Sequence, residues 1–313
     1  MTETFVVTGG AGFIGSHLVD SLISDGLDVV VIDDLSSGDA RRLSADAGFE
    51  EVDITDARAV DRIIDDCRPS GIFHLGAQSS VTVSVDDPRR DCAVNVGGTL
   101  NILEASKRHE APVVFTSTGG ALYGNAAPRP TREDWIPAPL APYGASKWAG
   151  EAYVNGWTEA TGIPHTVCRL GNVYGPRQSP HGEAGVVAIF SHQLWAGLTP
   201  ALYGHGKPTR DYIHVGDVVA ALRKALGTKG TFNVATGVET SVKQIFETLQ
   251  QASGREVEPD LRPLRPGELE ASCMDTTHAR DALGWRAEIE LAAGVEATYH
   301  ALIAEFESRE TSR

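Results

Sequence analysis

Tyr143 and Lys147 are the residues of this sequence best placed to move a proton. They stand four apart in the stretch PYGASKWAGE, so on a helix they share one face. Pro142 suits the first turn of a helix, which places Tyr143 near the positive end of the helix dipole. A phenol ordinarily has a pKa of about 10, and an ammonium group and a helix N-terminus both favour its ionised form. The pattern predicts a tyrosine base that works near neutral pH.

A glycine-rich turn near the N-terminus predicts a dinucleotide site. Gly9, Gly12 and Gly15 lie between an apolar run and a helical stretch, and the turn also fits Gly-x-Gly-x-x-Gly starting one residue later. Such glycines let backbone N–H groups approach a pyrophosphate, whose charge the helix N-terminus stabilises. Asp33 ends the second apolar run, at the separation from the turn expected of an acid that binds the adenosine ribose and repels a 2′-phosphate. NAD is therefore favoured over NADP, and its nicotinamide cation favours the tyrosine phenolate further.

Strands and helices alternate through the first half of the chain. The predicted strands are 4–9, 28–33, 49–54, 71–77, 111–118 and 164–172. The predicted helices are 13–26, 59–67, 91–109 and 143–162. This alternation predicts an α/β fold, a Rossmann-type doubly wound parallel sheet with helices on both faces.

The pattern becomes irregular after residue 172. We predict helices at 186–196 and 291–308, a strand at 231–235, and a capping box formed by Ser241 and Gln244. Residues 1–171 are predicted to be an NAD-binding domain that segments near 211–238 rejoin. Residues 172–313 are predicted to be mainly a smaller C-terminal α/β lobe that binds substrate.

Composition limits the classes of protein that remain. The 313 residues carry a formal net charge of −15, which argues against a broad basic surface for nucleic acid. No apolar run approaches the roughly 20 residues that cross a bilayer, so we expect no membrane association and a cytoplasmic protein. The four cysteines and the histidines show no metal-ligand spacing, so no metal site is expected.

Motifs along nearly the whole chain resemble the extended short-chain dehydrogenase/reductases that modify nucleotide sugars, and among them the UDP-glucose 4-epimerase group. They include TGGAGFIGSH, VIDDLSSG, HLGAQ, NVGGTLNILEA, TSTGGALYG, PYGASKWAGE, LGNVYGPRQ, GEAGVVAIF, RDYIHVGDV, RPGE and LGW. Gly76 stands where the family usually has alanine. The resemblance implies NAD, a UDP-sugar substrate and a homodimer.

The resemblance also implies roles for individual residues. Tyr143 is the base, Lys147 binds the nicotinamide ribose and tunes the phenol, and Thr118 binds the reacting hydroxyl. Thr118 precedes Tyr143 at the spacing expected for that role, with Ser117 as the alternative. The cofactor would be bound by Gly9, Gly12, Phe13, Ile14, Gly15, Asp33, Asp34, Ser37, Gly38, Asp53, Ile54, Leu75, Gly76, Ala77, Asn95, Ser117, Tyr143 and Lys147. The UDP-sugar would be bound by Thr118, Tyr143, Asn172, Gly185, Val186, Ala201, Tyr203, Arg210, Arg265 and Ser272.

The reaction implied is epimerisation at C4. Tyr143 takes the proton of the sugar 4-hydroxyl while C4 gives hydride to NAD⁺, and the 4-keto sugar turns before hydride returns to its other face. Ser272 is aligned beside the sugar's 2-position, where a small residue leaves space for an N-acetyl group. Interconversion of UDP-GlcNAc and UDP-GalNAc is therefore expected beside that of UDP-glucose and UDP-galactose.

Alternative activities depend on particular residues. The related dTDP-sugar 4,6-dehydratases carry an acidic pair after the catalytic threonine, whereas Gly119 and Gly120 stand here. UDP-uronate epimerases and decarboxylases need a cation for the C6 carboxylate, and Arg177 is the candidate, although a loop arginine of this kind more often binds backbone carbonyls. A non-catalytic NAD-binding sensor would have no need for Tyr143 and Lys147.

Overall fold

The computed structural model describes residues 3–181, 185–265 and 269–311. Its strands are β1 (Thr4–Thr8), β2 (Asp28–Asp33), β3 (Gly48–Glu51), β4 (Gly71–His74), β5 (Val113–Thr118), β6 (Thr166–Leu170), β7 (Asn172–Tyr174), β8 (Ala201–Tyr203), β9 (Thr209–Arg210), β10 (Tyr212–His214), β11 (Gly230–Val234), β12 (Thr240–Ser241) and β13 (Asp260–Arg262). Parts of the GEAGVVAIF and RPGE motifs, residues 182–184 and 266–268, lie outside the described residues.

Helices cover the strands and connect them. They are α1 (Phe13–Ser24), α2 (Ala57–Cys67), α3 (Val81–Asp86), α4 (Pro88–Cys92), α5 (Thr99–Lys107), α6 (Pro142–Thr161), α7 (Val186–Trp195), α8 (Val215–Ala225), α9 (Val242–Ser253), α10 (Thr277–Leu283) and α11 (Leu291–Thr311). Short 3₁₀ turns lie at Ala40–Arg42 and Gly204–Gly206. Among the described residues, none of these helices is long and apolar enough to cross a membrane.

Seven strands form one parallel sheet in the order β11-β6-β5-β4-β1-β2-β3. Successive residues of a strand point to opposite faces, so Val6 and Val7 of β1 enter different core layers. Helices α1 and α8 cover the face of Val7, and α2, α5 and α6 cover the face of Val6. Both faces are buried, which confirms the predicted Rossmann-type doubly wound fold.

A smaller lobe is built by the second half of the chain around an apolar cluster from α7, α9 and α11. Phe190 of α7 and Phe246 of α9 meet edge to face, with ring centroids 5.9 Å apart. Three two-stranded pairs accompany these helices: β7 with β10, β8 with β13, and β9 with β12. Strand β11 lies in the central sheet instead, within the segment 211–238 that was predicted to return there.

Several predicted elements differ in detail from the structure; the strands predicted at 49–54 and 71–77, for example, end at Glu51 and His74. The helix predicted at 91–109 is α4 and α5 joined by a π-helical turn at Ala93–Gly98. The strand predicted at 164–172 ends at Leu170, and the chain leaves the sheet at Gly171. A Cβ at Gly171 would lie 2.8 Å from the Asp211 carbonyl oxygen, so the chain bends where only glycine fits this close approach. The capping box of Ser241 and Gln244 is confirmed, with both of its hydrogen bonds present.

Candidate active site

The first turns of α6 carry the predicted base and lysine. Ala141 is extended at the N-cap position, and Pro142 opens the helix because its ring fixes a helical φ and no N–H is needed there. Tyr143 follows in the first turn, and Lys147 lies one turn later with 3% of its surface exposed. The Lys147 ammonium lies 4.4 Å from the centroid of the Phe115 ring, over its face. The predicted pairing of tyrosine and lysine on one buried helix face is therefore present.

Burial controls the ionisation of both groups. Burial raises the pKa of Tyr143 to about 12, the charge of Asp91 adds to the rise, and a hydrogen bond with the Thr118 hydroxyl opposes it. Burial lowers the pKa of Lys147 to about 8, against the attraction of Glu151 and Asp91. Burial is thus the largest influence on the Tyr143 phenol, and the effects expected of Lys147, the helix N-terminus and a nicotinamide cation on its ionisation stay predictions.

Thr118, at the end of β5, is the hydroxyl residue in contact with the tyrosine. Its Oγ1 accepts a hydrogen bond from the Ala121 N–H at 3.2 Å, and the same hydroxyl lowers the pKa of the Tyr143 phenol. Ser117 points elsewhere, and its buried Oγ has no hydrogen-bond partner in the part of the chain that the structure describes. The geometry favours Thr118 over Ser117 as the second hydroxyl at the reacting centre.

Close backbone contacts in the glycine-rich turn between β1 and α1 leave no space for side chains. Gly9 has a φ of +67°, and a Cβ on Gly15 would lie 2.1 Å from the Gly9 carbonyl oxygen. Gly12 is the N-cap residue of α1 and offers no side chain to the N–H groups of the first turn, where Phe13 and Ile14 begin the helix. These N–H groups and the helix dipole fit the pyrophosphate of a dinucleotide.

Asp33 connects the end of β2 to this turn. Its Oδ2 accepts from the Ala11 N–H at 3.0 Å, and its Oδ1 accepts from the Leu35 N–H at 2.9 Å. Burial raises the pKa of Asp33, and these two hydrogen bonds oppose the rise. Asp33 is thus a structural residue of the turn as well as the predicted ribose ligand, since a carboxylate has lone pairs left for hydroxyl groups.

Other predicted cofactor residues lie around the ends of β2, β3 and β4. Asp34 accepts hydrogen bonds from the Ser36 N–H and hydroxyl, and Asp53 accepts from the Thr55 N–H. Ile54 is buried beneath the π-helical turn, where a Cβ on Gly98 would lie 2.6 Å from its side chain. Ser37 and Gly38 line a cavity of about 380 Å³.

The loop after β4 continues this arrangement. Leu75 donates its N–H to the Thr8 carbonyl at 3.1 Å, and Gly76 donates to the Thr8 hydroxyl at 3.0 Å, so the loop lies against the end of β1; Ala77 follows in the same loop. Asn95 faces it from the π-helical turn, where its amide is hydrogen-bonded to the backbone of Gln78. Asn95 therefore holds the loop, a structural role beyond the predicted cofactor contact.

The predicted substrate residues of the smaller lobe come from several short segments. Asn172 begins β7, with its Oδ1 3.3 Å from the position that a Cβ on Gly120 would take. Gly185 is the N-cap residue of α7, which Val186 begins, and Ala201 begins β8. Asn172 therefore lies next to the loop that follows Thr118.

Two further groups of predicted substrate residues make direct contacts. The Arg265 guanidinium lies 3.8 Å from the centroid of the Tyr203 ring, and this contact lowers the pKa of the phenol. Arg210 and Ser272 lie on either side of Thr209, whose backbone oxygen accepts from Arg210 Nη1 at 2.8 Å and from the Ser272 N–H at 3.1 Å. Arg265 thus covers the Tyr203 ring, one of the predicted UDP-sugar contacts.

The comparisons with known proteins agree in assigning a family. The sequence model of the GDP-mannose 4,6-dehydratase family matches residues 6–298. The UDP-glucose 4-epimerase of Mycolicibacterium smegmatis is 46% identical over 301 residues, which cover 94% of this chain and 96% of that protein. The crystal structure of the Thermotoga maritima UDP-glucose 4-epimerase with UDP-glucose superposes with a TM-score of 0.94 and 42% identity, covering 97% of this chain and 99% of the other. The Thermus thermophilus UDP-glucose 4-epimerase in complex with NAD gives 0.89 and 40%, covering 96% and 99%.

The chain belongs to the UDP-glucose 4-epimerase group of the extended short-chain dehydrogenase/reductases. This membership confirms three predictions: the family, an epimerase as the class of enzyme, and NAD as the cofactor. The positions of the individual residues are those described above, and their roles stay predictions.

Two alternative activities find no support in the epimerase site. A Cβ at Gly119 would lie 1.8 Å from the Met274 sulfur, so the position after Thr118 has no space for the acidic side chain that dehydration requires. Arg177 pairs with Asp20 of α1, with an N–O distance of 2.6 Å. Its guanidinium therefore binds a carboxylate rather than the backbone carbonyls expected of it, and it is not a free cation for a sugar carboxylate.

Two buried acids near Lys147 were not identified from the sequence: Asp91 of α4 and Glu151 of α6. Asp91 and Glu151 both face Lys147 closely enough to favour its charged form. The signal was present at Glu151, which lies four residues after Lys147 on the same helix and thus on the same face. Asp91 gave no such signal. Its hydrogen-bond partners are Gln78, 13 positions earlier in the chain, and Asn95, which lies in the π-helical turn.

Proposed function

We propose that this enzyme epimerises UDP-hexoses at C4 with NAD, through a 4-keto sugar. One observation carries the proposal: the Thr118 hydroxyl lies close enough to the Tyr143 phenol to lower its pKa, with Lys147 on the same helix face. A non-catalytic sensor has no use for this arrangement of hydroxyls and ammonium. The relatives that the chain resembles over almost its whole length are named UDP-glucose 4-epimerases.

The chain's own residues supply the proton transfer. NAD, held at the glycine-rich turn and Asp33, supplies the hydride acceptor and returns the hydride. Tyr143 takes the proton from the 4-hydroxyl, and Thr118 holds the reacting oxygen beside the phenol. Because desolvation holds the phenol protonated at neutral pH in the free chain, the positive nicotinamide and Lys147 together must lower the pKa of Tyr143. Proton abstraction is thus coupled to occupancy of the cofactor site.

The smaller lobe would bind the UDP group. Arg210 and Arg265 suit the diphosphate, since a guanidinium pairs two N–H groups with phosphate oxygens. For uracil to stack on Tyr203, Arg265 must leave that ring, and its movement toward the diphosphate would free the face. Asn172, Gly185, Val186 and Ala201 complete the proposed UDP site.

The same proposal extends to sugar breadth and assembly. Ser272 lines a narrow cleft together with Gly119 and Gly120, which follow Thr118, and this supports its place near the sugar. The small serine side chain is the reason for proposing that N-acetylated sugars are accepted. A homodimer through the helices near 91–109 and 143–160 is supported by Tyr153, which is 43% exposed on α6. Leu103 of α5, within the first of these helical segments, is fully buried in the core of the chain, so it belongs to the fold rather than to a contact surface. The cytoplasmic location and a role in galactose metabolism stay predictions.

A substrate panel with one pair of variants tests this function. UDP-glucose, UDP-galactose, their N-acetylated forms, a UDP-uronate and a dTDP-hexose are incubated with the protein and NAD, and the products are separated by chromatography. We expect 4-epimers only of the UDP-hexoses, and Tyr143→Phe should lower kcat by about 10² or more with NAD still bound. Tyr153→Phe, the same change on an exposed residue of the same helix, is the matched control. Dehydrated or decarboxylated products, or no turnover of any sugar, would refute the proposal.

A further inference from the structure

Asp91 is a buried carboxylate that the mechanism above does not use. It lies in α4, directly before the π-helical turn, with 1% of its surface exposed. Its Oδ1 accepts two hydrogen bonds, from Gln78 Nε2 at 2.8 Å and from Asn95 Nδ2 at 3.1 Å. Burying a carboxylate this deeply costs free energy, which hydrogen bonds and nearby opposite charges must offset.

One of these partners continues to the catalytic tyrosine. Asn95 Nδ2 lies 3.0 Å from the Ser146 Oγ, and that hydroxyl in turn donates to the Tyr143 carbonyl oxygen at 3.0 Å. Ser146 is itself buried, with 6% of its surface exposed. The carboxylate of Asp91 is therefore joined to the backbone of the first turn of α6 through two side chains that water does not reach.

The other partner continues to the predicted cofactor loop. The Gln78 N–H donates to Asn95 Oδ1 at 2.9 Å, and Asn95 Nδ2 lies 2.9 Å from the Gln78 carbonyl oxygen. Gln78 directly follows Leu75, Gly76 and Ala77, the loop that lies against β1. Asp91 is thus the common acceptor of a network that joins the cofactor loop to the helix carrying Tyr143.

The charge of Asp91 also reaches both reacting groups. It raises the pKa of Tyr143, whose ionisation it opposes, and it raises the pKa of Lys147, whose ammonium it attracts. Glu151 attracts the same ammonium from α6. His74 faces Lys147 from β4 and is neutral, because burial lowers its pKa to about 3.

Asp91 differs from Glu151 in how its charge is balanced. Glu151 is ion-paired with Arg169 of β6, with an N–O distance of 2.6 Å. The hydrogen bonds described for Asp91 come from neutral amides, which satisfy its oxygen without cancelling its charge. These partners therefore do not cancel the charge of Asp91, and Lys147 is the cation that it attracts.

We propose that Asp91 is a positioning residue of this active site, which holds the catalytic helix against the cofactor loop and keeps a fixed negative charge beside the Tyr143–Lys147 pair. The proposal deepens the proposed function and rests on it for the meaning of the pair. Both of its hydrogen bonds reach the same oxygen, so Asp91→Asn can keep both with its amide oxygen and lose only the charge.

The decisive measurement follows Lys147 directly and needs no turnover. The chain has only six lysines, so protein labelled with ¹³C at the lysine ε-carbon gives six resonances, and Lys147→Arg identifies the one that matters. We expect the Lys147 titration in Asp91→Asn to move to lower pH than in the wild type, where the pKa is about 8. Asp86→Asn, which removes an exposed carboxylate from neighbouring α3, should leave it in place. If Lys147 titrates at the same pH in the wild type and in Asp91→Asn, the proposal is overturned.

Kinetic measurements then distinguish the effect of the Asp91 charge from its effect on the position of the catalytic helix. Loss of the charge favours the phenolate, so the acidic limb of the kcat–pH profile should move to lower pH in Asp91→Asn. Ser146→Ala breaks the connection to Tyr143 and keeps the charge, so kcat should fall about tenfold or more with the Lys147 titration unchanged. If Asp91→Asn does not fold, Ser146→Ala still tests the proposal. A kcat equal to that of the wild type in Ser146→Ala would overturn the positioning role. Absence of UDP-hexose turnover in the wild type would refute the proposed function, while the lysine titration would still decide the charge of Asp91.

Discussion

Removal of Arg169 should destabilise this enzyme far more than removal of an exposed arginine. Arg169 binds both carboxylate oxygens of Glu151, at 3.0 Å from Nε and 2.6 Å from Nη2. It also donates to the Tyr123 hydroxyl at 3.0 Å and to the Glu133 carbonyl at 2.9 Å. The two charged side chains are 7% and 2% exposed, so Arg169→Met leaves a carboxylate buried with neither its cation nor water.

The size of the effect follows from this burial. Breaking a buried ion pair by removing one partner destabilises a protein by about 3–5 kcal/mol. Unfolding entropy is about 2.1 cal/mol/K per residue, or about 0.66 kcal/mol/K for the 313 residues. Arg169→Met should therefore lower Tm by about 5–8 °C. Arg108→Met, which removes ion pairs with Asp61 and Asp65 from a side chain that is 40% exposed, should change the stability by less than about 1 kcal/mol because water screens these pairs.

Thermal and urea unfolding of Arg169→Met, Glu151→Gln, their double variant and the exposed control Arg108→Met would check this reasoning. Arg169→Met/Glu151→Gln should recover at least half of the loss, since no buried charge remains uncompensated. If Arg169→Met is no less stable than Arg108→Met, or if the double variant loses the sum of both single changes, an unpaired buried carboxylate is not the cause.

Three further predictions concern the cofactor turn, the sugar site and acid stability. Gly15→Ala places a Cβ 2.1 Å from the Gly9 carbonyl oxygen, so the turn must open and calorimetry should show at least about tenfold weaker NAD binding with an unchanged far-UV spectrum. Ser272→Tyr should selectively lower kcat/KM for the N-acetylated UDP-sugars, since an overpacked site costs about 1–3 kcal/mol; equal losses for both sugar pairs would contradict the gate. The pKa of His74 is lowered to about 3 by burial, so the unfolded chain binds more protons from about pH 6.5 down to 3 and stability falls across that window. His74→Gln should flatten the fall in urea midpoints there, and an unchanged slope would show that His74 does not cause it.

Local patterns were sufficient to predict most of the elements that position the site. The apolar run 28–33 corresponds residue for residue to β2, because a strand buried on both faces needs continuous β-branched residues. The start of α6 was predictable because Pro142 and the Tyr143–Lys147 spacing are both local features. Asp33 was expected at the end of β2 and lies there, at the glycine turn.

Contacts between distant segments could not be predicted in the same way. The Arg177–Asp20 ion pair joins residues 157 positions apart, and the sequence around Arg177 fits a backbone contact equally well. The π-helical turn at Ala93–Gly98 has no marker in the sequence, so the hydrogen bonds of Asn95 with Gln78 and Asp91 were not foreseen. The desolvation that raises the pKa of Tyr143 depends on the whole fold, whereas the helix start and the lysine were visible locally.

The position of β11 at the edge of the central sheet has a consequence for the order of synthesis. Its partner β6 ends at Leu170, whereas β11 ends only at Val234, after β7 to β10 and two helices have been made. At about 5–20 residues per second, a ribosome needs roughly 3 to 13 seconds to deliver the strand that covers this edge. Trp285, which packs into the core shared by β1 and α1, emerges later still. A nascent chain that ends at Gly171 therefore has an open strand edge and an incomplete core, so we expect it to bind chaperones until translation of the smaller lobe closes the sheet.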